Sequence, residues 1–258
     1  MSNRARPVAL VTGGQRGIGL AIANSLATAG FDIAITGIAD LEKVDEVLAE
    51  LRTHGGKAMF VRSDLSDLAG HADAVEDVVR HFGGIDCLVN NAGIGAVVRG
   101  DFLDLRVENF DAILDINLRG TIFFTQAVVR AMLAESDNTS GRSVVNITSV
   151  SATLSSPERL DYCVTKAGLA AFSRGLALRL AETGIAVFEV RPGITRSNMT
   201  ARFSEKFDPL IEQGLVPMKR WGEPEDIGHV VASLAGGGFG FATGTVISAD
   251  GGLSIGRL

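Results

Sequence analysis

Short apolar runs alternate with longer stretches in which apolar residues recur every three or four positions, and this alternation holds along the whole chain. Val8–Thr12, Asp32–Thr36, Ala58–Val61, Ile85–Val89, Ser143–Thr148, Ile185–Val190 and Gly244–Ser248 read as strands. Their continuous apolar character fits strands covered on both faces. Helical periodicity appears at Ile18–Ala29, in Leu41, Val44, Val47, Leu48 and Leu51, and at Val75–Phe82. It returns from about Asn109 to Glu135, from Asp161 to Glu182, and in a last helix opened by Gly222-Glu-Pro-Glu-Asp-Ile. Such alternation predicts an α/β fold, a doubly wound parallel sheet with helices on both faces. Right-handed crossovers then bring the strand C-termini to one edge, where Gly13, Asn90, Ser149 and Pro192 gather. Asn117 must reach that edge from a helix.

Three stretches interrupt the pattern. Residues 95–109 read as loop and short helix with Arg99 exposed, and 136–141 as a polar loop. Residues 194–218, with Met199, Phe203, Phe207, Leu210 and Met218, form an excursion long enough to act as an active-site lid. No stretch resembles a linker, so residues 1–258 are expected to form one domain.

The first strand leads into Gly13-Gly-Gln-Arg16-Gly17-Ile18-Gly19 and then into a helix. Glycines let a backbone approach a pyrophosphate closely, and the helix N-terminus offers free N–H groups and a positive dipole end. A dinucleotide is therefore expected there. In NAD-binding versions of this unit an acidic residue at the end of the second strand takes the ribose 2′-OH. Gly37 stands at that place without a carboxylate, and Arg16 can meet a 2′-phosphate, so NADP(H) is favoured and NAD(H) is the alternative. Asp40, three residues on, reads as a cap of the next helix. Asp64, before Leu65, stands where a polar side chain can bond an adenine amine, or simply opens a helix. Asn91, Ala92 and Gly93 end the fourth strand with residues suited to close passage of the cofactor.

Composition narrows the function classes. The chain has 258 residues, 46% of them hydrophobic, with a net charge of −6, and no basic block argues for a nucleic-acid partner. The polar start and the lack of a membrane-length apolar run predict neither a signal peptide nor a membrane span. Cys87 and Cys163 make no disulfide framework, so a cytoplasmic protein is expected. His54, His71, His81 and His229 show no metal-ligand spacing and read as surface or loop residues; no metal is expected.

The candidate chemistry lies between Ser149 and Lys166. Tyr162, the one tyrosine of the chain, precedes Lys166 by one helical turn, which puts both side chains on one face. An ammonium beside a phenol stabilises the phenolate, and such a tyrosine can exchange a proton with a carbonyl oxygen. Ser149, at the end of a buried strand, can hold the same oxygen. Asn117 is an amide within an apolar helix; it either bonds backbone in the core or holds a water near Lys166. The helix from Asp161 to Glu182 is apolar or small on more than one face, which suggests burial against another subunit.

With these motifs in order and at these spacings, the chain resembles the short-chain dehydrogenase/reductase family over nearly its whole length, and is most similar to its 3-oxoacyl-carrier-protein reductase type. The resemblance rests on Thr12-Gly-x-x-x-Gly17-Ile-Gly19, Asn90-Asn-Ala-Gly93, Asn117, Ser149, Tyr162-x-x-x-Lys166 and Pro192-Gly193. It implies a Rossmann-like sheet of order 3-2-1-4-5-6-7, commonly a tetramer. It also implies a tetrad of Asn117, Ser149, Tyr162 and Lys166, in which Tyr162 is the acid/base and Lys166 binds the nicotinamide ribose. Pro192, Gly193 and Thr195 belong to the segment that meets the carboxamide. Ala152 stands where glycine is frequent, and Thr195 where a larger apolar residue is common. Glu135 and Glu182 stand where carrier-protein reductases tend to have basic residues. The expected activity is hydride transfer between NADP(H) and a small carbonyl or alcohol substrate. A non-catalytic dinucleotide sensor and an epimerase or dehydratase on the same fold are the rivals.

Overall fold

Seven short strands form one parallel sheet in the order β3-β2-β1-β4-β5-β6-β7, largely buried except for the last, whose residues are exposed or half-buried. They are β1 (Val8–Thr12), β2 (Asp32–Gly37), β3 (Ala58–Arg62), β4 (Cys87–Asn90), β5 (Ser143–Ile147), β6 (Ala186–Pro192) and β7 (Val246–Ala249). The computed structural model describes residues 5–256 apart from 41, 43, 136–140 and 198, with the side chain of Arg202 also left aside. The expected helix contribution of Leu41 and most of the 136–141 loop therefore lie outside the described residues. The intervening helices are α1 (Gly17–Thr28), α2 (Asp45–Arg52), α3 (His71–Phe82), α4 (Val107–Leu114), α5 (Thr121–Glu135), α6 (Leu160–Leu180), α7 (Ser204–Glu212) and α8 (Pro224–Ala235).

The strands alternate their side chains between two apolar layers. Val11, Ile35 and Phe188 face Ile22, Leu26 and Val231 from α1 and α8. Leu10, Leu88 and Val144 face Val78, Phe124 and Met132 from α3 and α5. Strand register is set by this burial, because a one-residue slip would turn each strand's apolar set to the other layer.

The long helix expected from Asn109 to Glu135 is one helical stretch, Val107–Glu135, with a π-helical turn at Asp115–Gly120 in its middle. By length and composition it is apolar enough to cross a bilayer, unlike the expectation that no run reaches that length. Phe124, Val128 and Met132 are fully buried in the second layer, so it serves here as a core helix.

The histidines correct one expectation. His71 is buried, not on the surface. Its Nε2 lies 3.1 Å from the Leu65 carbonyl, and its ring meets Phe124 edge-on with centroids 5.3 Å apart. Burial holds its pKa below the ordinary value of 6.5, so the folded state favours the neutral ring. The unfolded chain then binds the extra proton first. Stability from this group is present above pH 6.5 and is lost as pH falls through 6.5 toward the folded value. Urea midpoints measured at pH 7.5 and 5.5 should therefore drop more for the wild type than for His71→Gln; equal drops would contradict this.

Candidate active site

The C-terminal ends of β1, β2, β4, β5 and β6 bring the expected residues to one edge. After β1 the chain turns at Gly13, whose φ of +66° is in the left-handed region, and enters α1. A methyl group at Gly19 would lie 2.2 Å from the Gly13 carbonyl oxygen, so the turn closes only with glycine there. Nothing stands within 4 Å of where a Cβ on Gly17 would be, which leaves the mouth of the turn open. Arg16, extended and exposed, takes the cap position of α1 without a side-chain cap, and Ile18 is half-buried behind it. The first N–H groups of α1 are thus free of side-chain partners, as an anion-binding helix start requires.

Thr12, which opens the glycine motif but was given no role of its own, ties this turn to the end of β4 through its hydroxyl. It accepts from the backbone N–H of Asn91 and of Ala92, each at 3.0 Å, and Asn91 Nδ2 donates to the Thr12 carbonyl at 2.9 Å. Asn91 is therefore fully engaged in joining the two loops. Asn90 points the other way, into the core, where its Nδ2 donates to Asn146 at 2.8 Å and to Thr125 at 2.7 Å. Asn146 in turn donates to Ser173 on α6 at 2.9 Å. This buried amide chain pins α6 to β4 and β5, and the signal for it was an amide at Asn146 inside the apolar run Val144–Ile147.

At the second strand's end Gly37 is buried, and the Gln15 carboxamide lies over it: a Cβ there would meet Gln15 at 2.4 Å. Asp40 lies 4.0 Å from Arg62, both exposed. Asp64 accepts from the Ser66 N–H at 2.9 Å and the Ser66 hydroxyl at 2.7 Å, which is the helix-entry turn reading of that residue. Leu65 buries its side chain, so only its backbone faces the His71 and Gly120 side of the site.

Of the four expected catalytic residues, Ser149 follows β5, Tyr162 and Lys166 lie on α6, and Asn117 lies in the π-helical turn before α5. Ser149, half-buried and extended, accepts from the Ser151 N–H at 3.1 Å and opens a tight turn over Val150–Ala152. Tyr162 sits half-buried in the first turn of α6. Lys166 is buried, its Nζ 5.7 Å from the Tyr162 ring centre and 3.0 Å from the Ile147 carbonyl, to which it donates. That bond uses one of three ammonium donors. Asn117, in the π-turn, accepts from the Ile94 N–H and donates to the Ile94 carbonyl, both at 2.8 Å. These are backbone bonds of the kind a buried amide requires. Its Oδ1 also lies 3.0 Å from where a Cβ on Gly93 would be, and Lys166 Nζ 3.8 Å, so Gly93, Asn117 and Lys166 share one corner. A π-turn adds a residue to the helical repeat and turns a side chain inward that an α-helix would direct elsewhere.

Beyond β6, Pro192 is buried and Gly193 lies against Asp250. Thr195 is buried and pairs with Gly222 as an isolated parallel bridge, starting the 194–218 segment. Within it, Phe207 packs edge-on against Trp221, with centroids 6.0 Å apart, over Ile211 and Val216. Phe207 thus belongs to the segment's own small core, whereas Phe203 lies under the Arg99 guanidinium at 3.9 Å. Arg99 is half-buried, not exposed as expected. Among the described residues no three His, Cys, Asp or Glu side chains form a metal-ligand group.

Residues 13–254 match the family described as Enoyl-(Acyl carrier protein) reductase. The chain is 33% identical to the 3-oxoacyl-[acyl-carrier-protein] reductase of Staphylococcus epidermidis over 246 residues, covering 95% of this chain and 98% of that one. It is 37% identical to the enzyme of that name from Aquifex aeolicus, over 95% and 96% of the two chains. Its fold superposes with a TM-score of 0.96 on a 3-oxoacyl-[acyl-carrier protein] reductase from Brucella melitensis crystallised with NAD, 62% identical, over 99% and 100% of the chains. A short-chain dehydrogenase/reductase variant from Serratia marcescens matches with a TM-score of 0.87 and 33% identity, over 97% and 98%.

Proposed function

The chain belongs to the short-chain dehydrogenase/reductase family and is a nicotinamide-dinucleotide-dependent oxidoreductase, in which, we propose, Tyr162 exchanges the proton of a carbonyl or alcohol substrate. One observation carries this reading: the Lys166 ammonium, held by the Ile147 carbonyl at the end of β5, stands 5.7 Å from the ring of Tyr162. The bound nicotinamide supplies or accepts the hydride. Tyr162 gives a proton to the developing alkoxide or takes it from the alcohol. The Ser149 hydroxyl donates a hydrogen bond to the same oxygen. Lys166 would offer its two remaining donors to the nicotinamide ribose and to water. Asn117, bonded to the Ile94 backbone, would hold the water that completes a proton relay.

The dinucleotide would lie on Gly13, Gly17 and Gly19, across Asn91, Ala92 and Gly93, with Asp64 and Leu65 near the adenine and Pro192, Gly193 and Thr195 near the carboxamide. NADP(H) is the favoured cofactor because Arg16 and Arg62 bracket a strand end that has no carboxylate at Gly37. NAD(H) is the second reading, carried by Asp40 and by the NAD complex of the Brucella relative.

A 3-oxoacyl substrate follows from the relatives' names, but carrier-protein docking is not favoured by the helix ends. Glu135 ends α5 and is paired with Arg142 at 2.9 Å, and Glu182 follows α6. We place the enzyme in the cytoplasm as one domain, with 194–218 as its lid; Met199 from that segment reaches to within 3.4 Å of where a Cβ on Gly95 would be. The deciding assay follows cofactor absorbance with a panel of ketones and alcohols. Cofactor binding with no turnover would favour the sensor, and product without net cofactor change the epimerase or dehydratase.

A homotetramer is part of the same proposal. Val164 and Leu178 on α6, Phe123 on α5 and Val107 on α4 are exposed apolar residues on neighbouring helices. Light scattering should give a particle of four chains of 27.0 kDa. A stable monomer at working concentration would contradict it.

A further inference from the structure

We propose that the substrate carries a carboxylate on the same small molecule as the reacting carbonyl, and that Arg159 binds it; this deepens, and rests on, the oxidoreductase reading above. Arg99, Arg159, Arg196 and Arg202 are arginines that could meet an anion. Arg196 is engaged by Glu223 at 3.1 Å, and Arg202 is one whose side chain lies outside the described structure. Arg99 covers the Phe203 ring of the lid segment. Arg159 differs from all of these. It stands three residues before Tyr162, at the N-cap of α6 with non-helical backbone angles, and its guanidinium lies 5.2 Å from the Tyr162 ring centre.

Asp101, Asp104, Glu158 and Asp161 line a cleft together with Arg159, and among the described residues no ion pair joins any of them to it. Glu158 is turned to Lys206 on α7 at 3.4 Å, and the buried Asp161 accepts from the Tyr162 N–H at 2.7 Å. Asp101 accepts from the Leu103 N–H at 2.9 Å, in the turn it caps. Among the described residues, no carboxylate lies within ion-pair distance of Arg159. The backbone that presents it is fixed: Arg159 N–H donates to Ser156 at 3.1 Å, and Gly100 N–H donates to the Glu158 carbonyl at 3.1 Å. The guanidinium is thus half-buried, stacked on the acid/base residue, and placed where the site meets the lid and the 97–105 segment. Its planar fork of donors matches a carboxylate with two parallel bonds. A phosphate at the far end of a pantetheine arm shares the anionic chemistry but lies many bonds from the carbonyl, whereas the Arg159 guanidinium lies beside the Tyr162 ring. A short oxo acid, or the hydroxy acid it becomes, fits that spacing.

The test uses the full-length enzyme with its preferred reduced cofactor. Short oxo acids differing in the distance from carbonyl to carboxylate are compared with their methyl esters and with 3-oxobutanoyl-coenzyme A. The wild type should prefer at least one acid to its ester tenfold or more in kcat/KM. Arg159→Gln should lower that preference by roughly 10–150-fold, the range of a charge-assisted hydrogen bond. The change should fall mainly on KM, with Arg159→Lys restoring part of it. Tyr162→Phe with bound cofactor gives a second readout without turnover: cofactor fluorescence should report tighter binding of the acid than of the ester. Equal binding of acid and ester there, equal losses on both in Arg159→Gln, or a loss confined to the coenzyme A thioester would overturn the proposal. Absence of turnover with every carbonyl in the series, despite cofactor binding, would instead defeat the oxidoreductase reading beneath it.

Discussion

Tyr162→Phe is expected to lower kcat by roughly 10²–10⁴-fold, the usual contribution of a general acid–base group, while cofactor affinity stays within a few-fold. The phenol oxygen is the one atom lost, and it is the atom proposed to exchange the substrate proton. The ring remains to stack under Arg159, and Lys166 keeps its bond to the Ile147 carbonyl at 3.0 Å, so the local packing has no reason to collapse. In the proposed reading the cofactor would rest on the glycine turn and on Lys166, both of which the substitution leaves in place. Steady-state kinetics with the best ketone, paired with a fluorescence titration of the reduced cofactor, separates the two effects. A variant retaining more than half of the wild-type kcat would end the proposed role. A large loss of cofactor affinity would mean that Tyr162 acts chiefly by shaping the pocket.

Arg16→Ala is expected to weaken NADPH by roughly 10–150-fold and NADH by only a few-fold. An exposed guanidinium at the start of α1 can make charge-assisted bonds to a 2′-phosphate, and a ribose hydroxyl gains far less from it. The sequence also suggests Gly37→Asp as the reverse switch, because a carboxylate would bond the ribose hydroxyls and repel the phosphate. The structure modifies that expectation. The Gln15 carboxamide occupies the space over Gly37, and an aspartate Cβ would meet it at 2.4 Å. The obstacle is the end of a flexible side chain, so Gly37→Asp requires Gln15 to move. Gly37→Asp combined with Gln15→Ala should therefore favour NADH more strongly than Gly37→Asp alone. Titrating both reduced cofactors into wild type and the three variants decides it. Equal wild-type affinities, or tighter NADH, would shift the assignment to Asp40 and to the NAD seen in the Brucella relative.

The elements that could be read from the chain are those whose evidence is local. The strand-helix alternation, and with it the parallel sheet, follows from the periodicity of apolar positions, because each period matches one backbone geometry. The strand-end location of Gly13, Asn90, Ser149 and Pro192 follows from that sheet by the handedness of its crossovers. The pairing of Tyr162 with Lys166 needed only the helical repeat, since the two residues face alike whatever packs around them.

What only the tertiary structure decided involves partners far apart in sequence. The helix through Asn117 was legible, but not its π-turn, which appears where Asn117 must meet Ile94. Asn90 looked like a loop residue and is a core residue, because its amide partners are Asn146 and Thr125 on other elements. His71 carries no helical signal for burial; the Leu65 carbonyl and the Phe124 ring supply it. Phe203 and Phe207 are alike in composition, yet Phe207 is taken up by Trp221, just beyond the 194–218 segment. The same holds for charge. Arg99, Arg159, Arg196 and Arg202 are equivalent as letters, and their roles part only when Glu223 claims Arg196 and no carboxylate among the described residues claims Arg159. A sequence reports the geometry that a residue's near neighbours impose, whereas the free energy of a buried amide or a guanidinium depends on which distant group arrives to satisfy it.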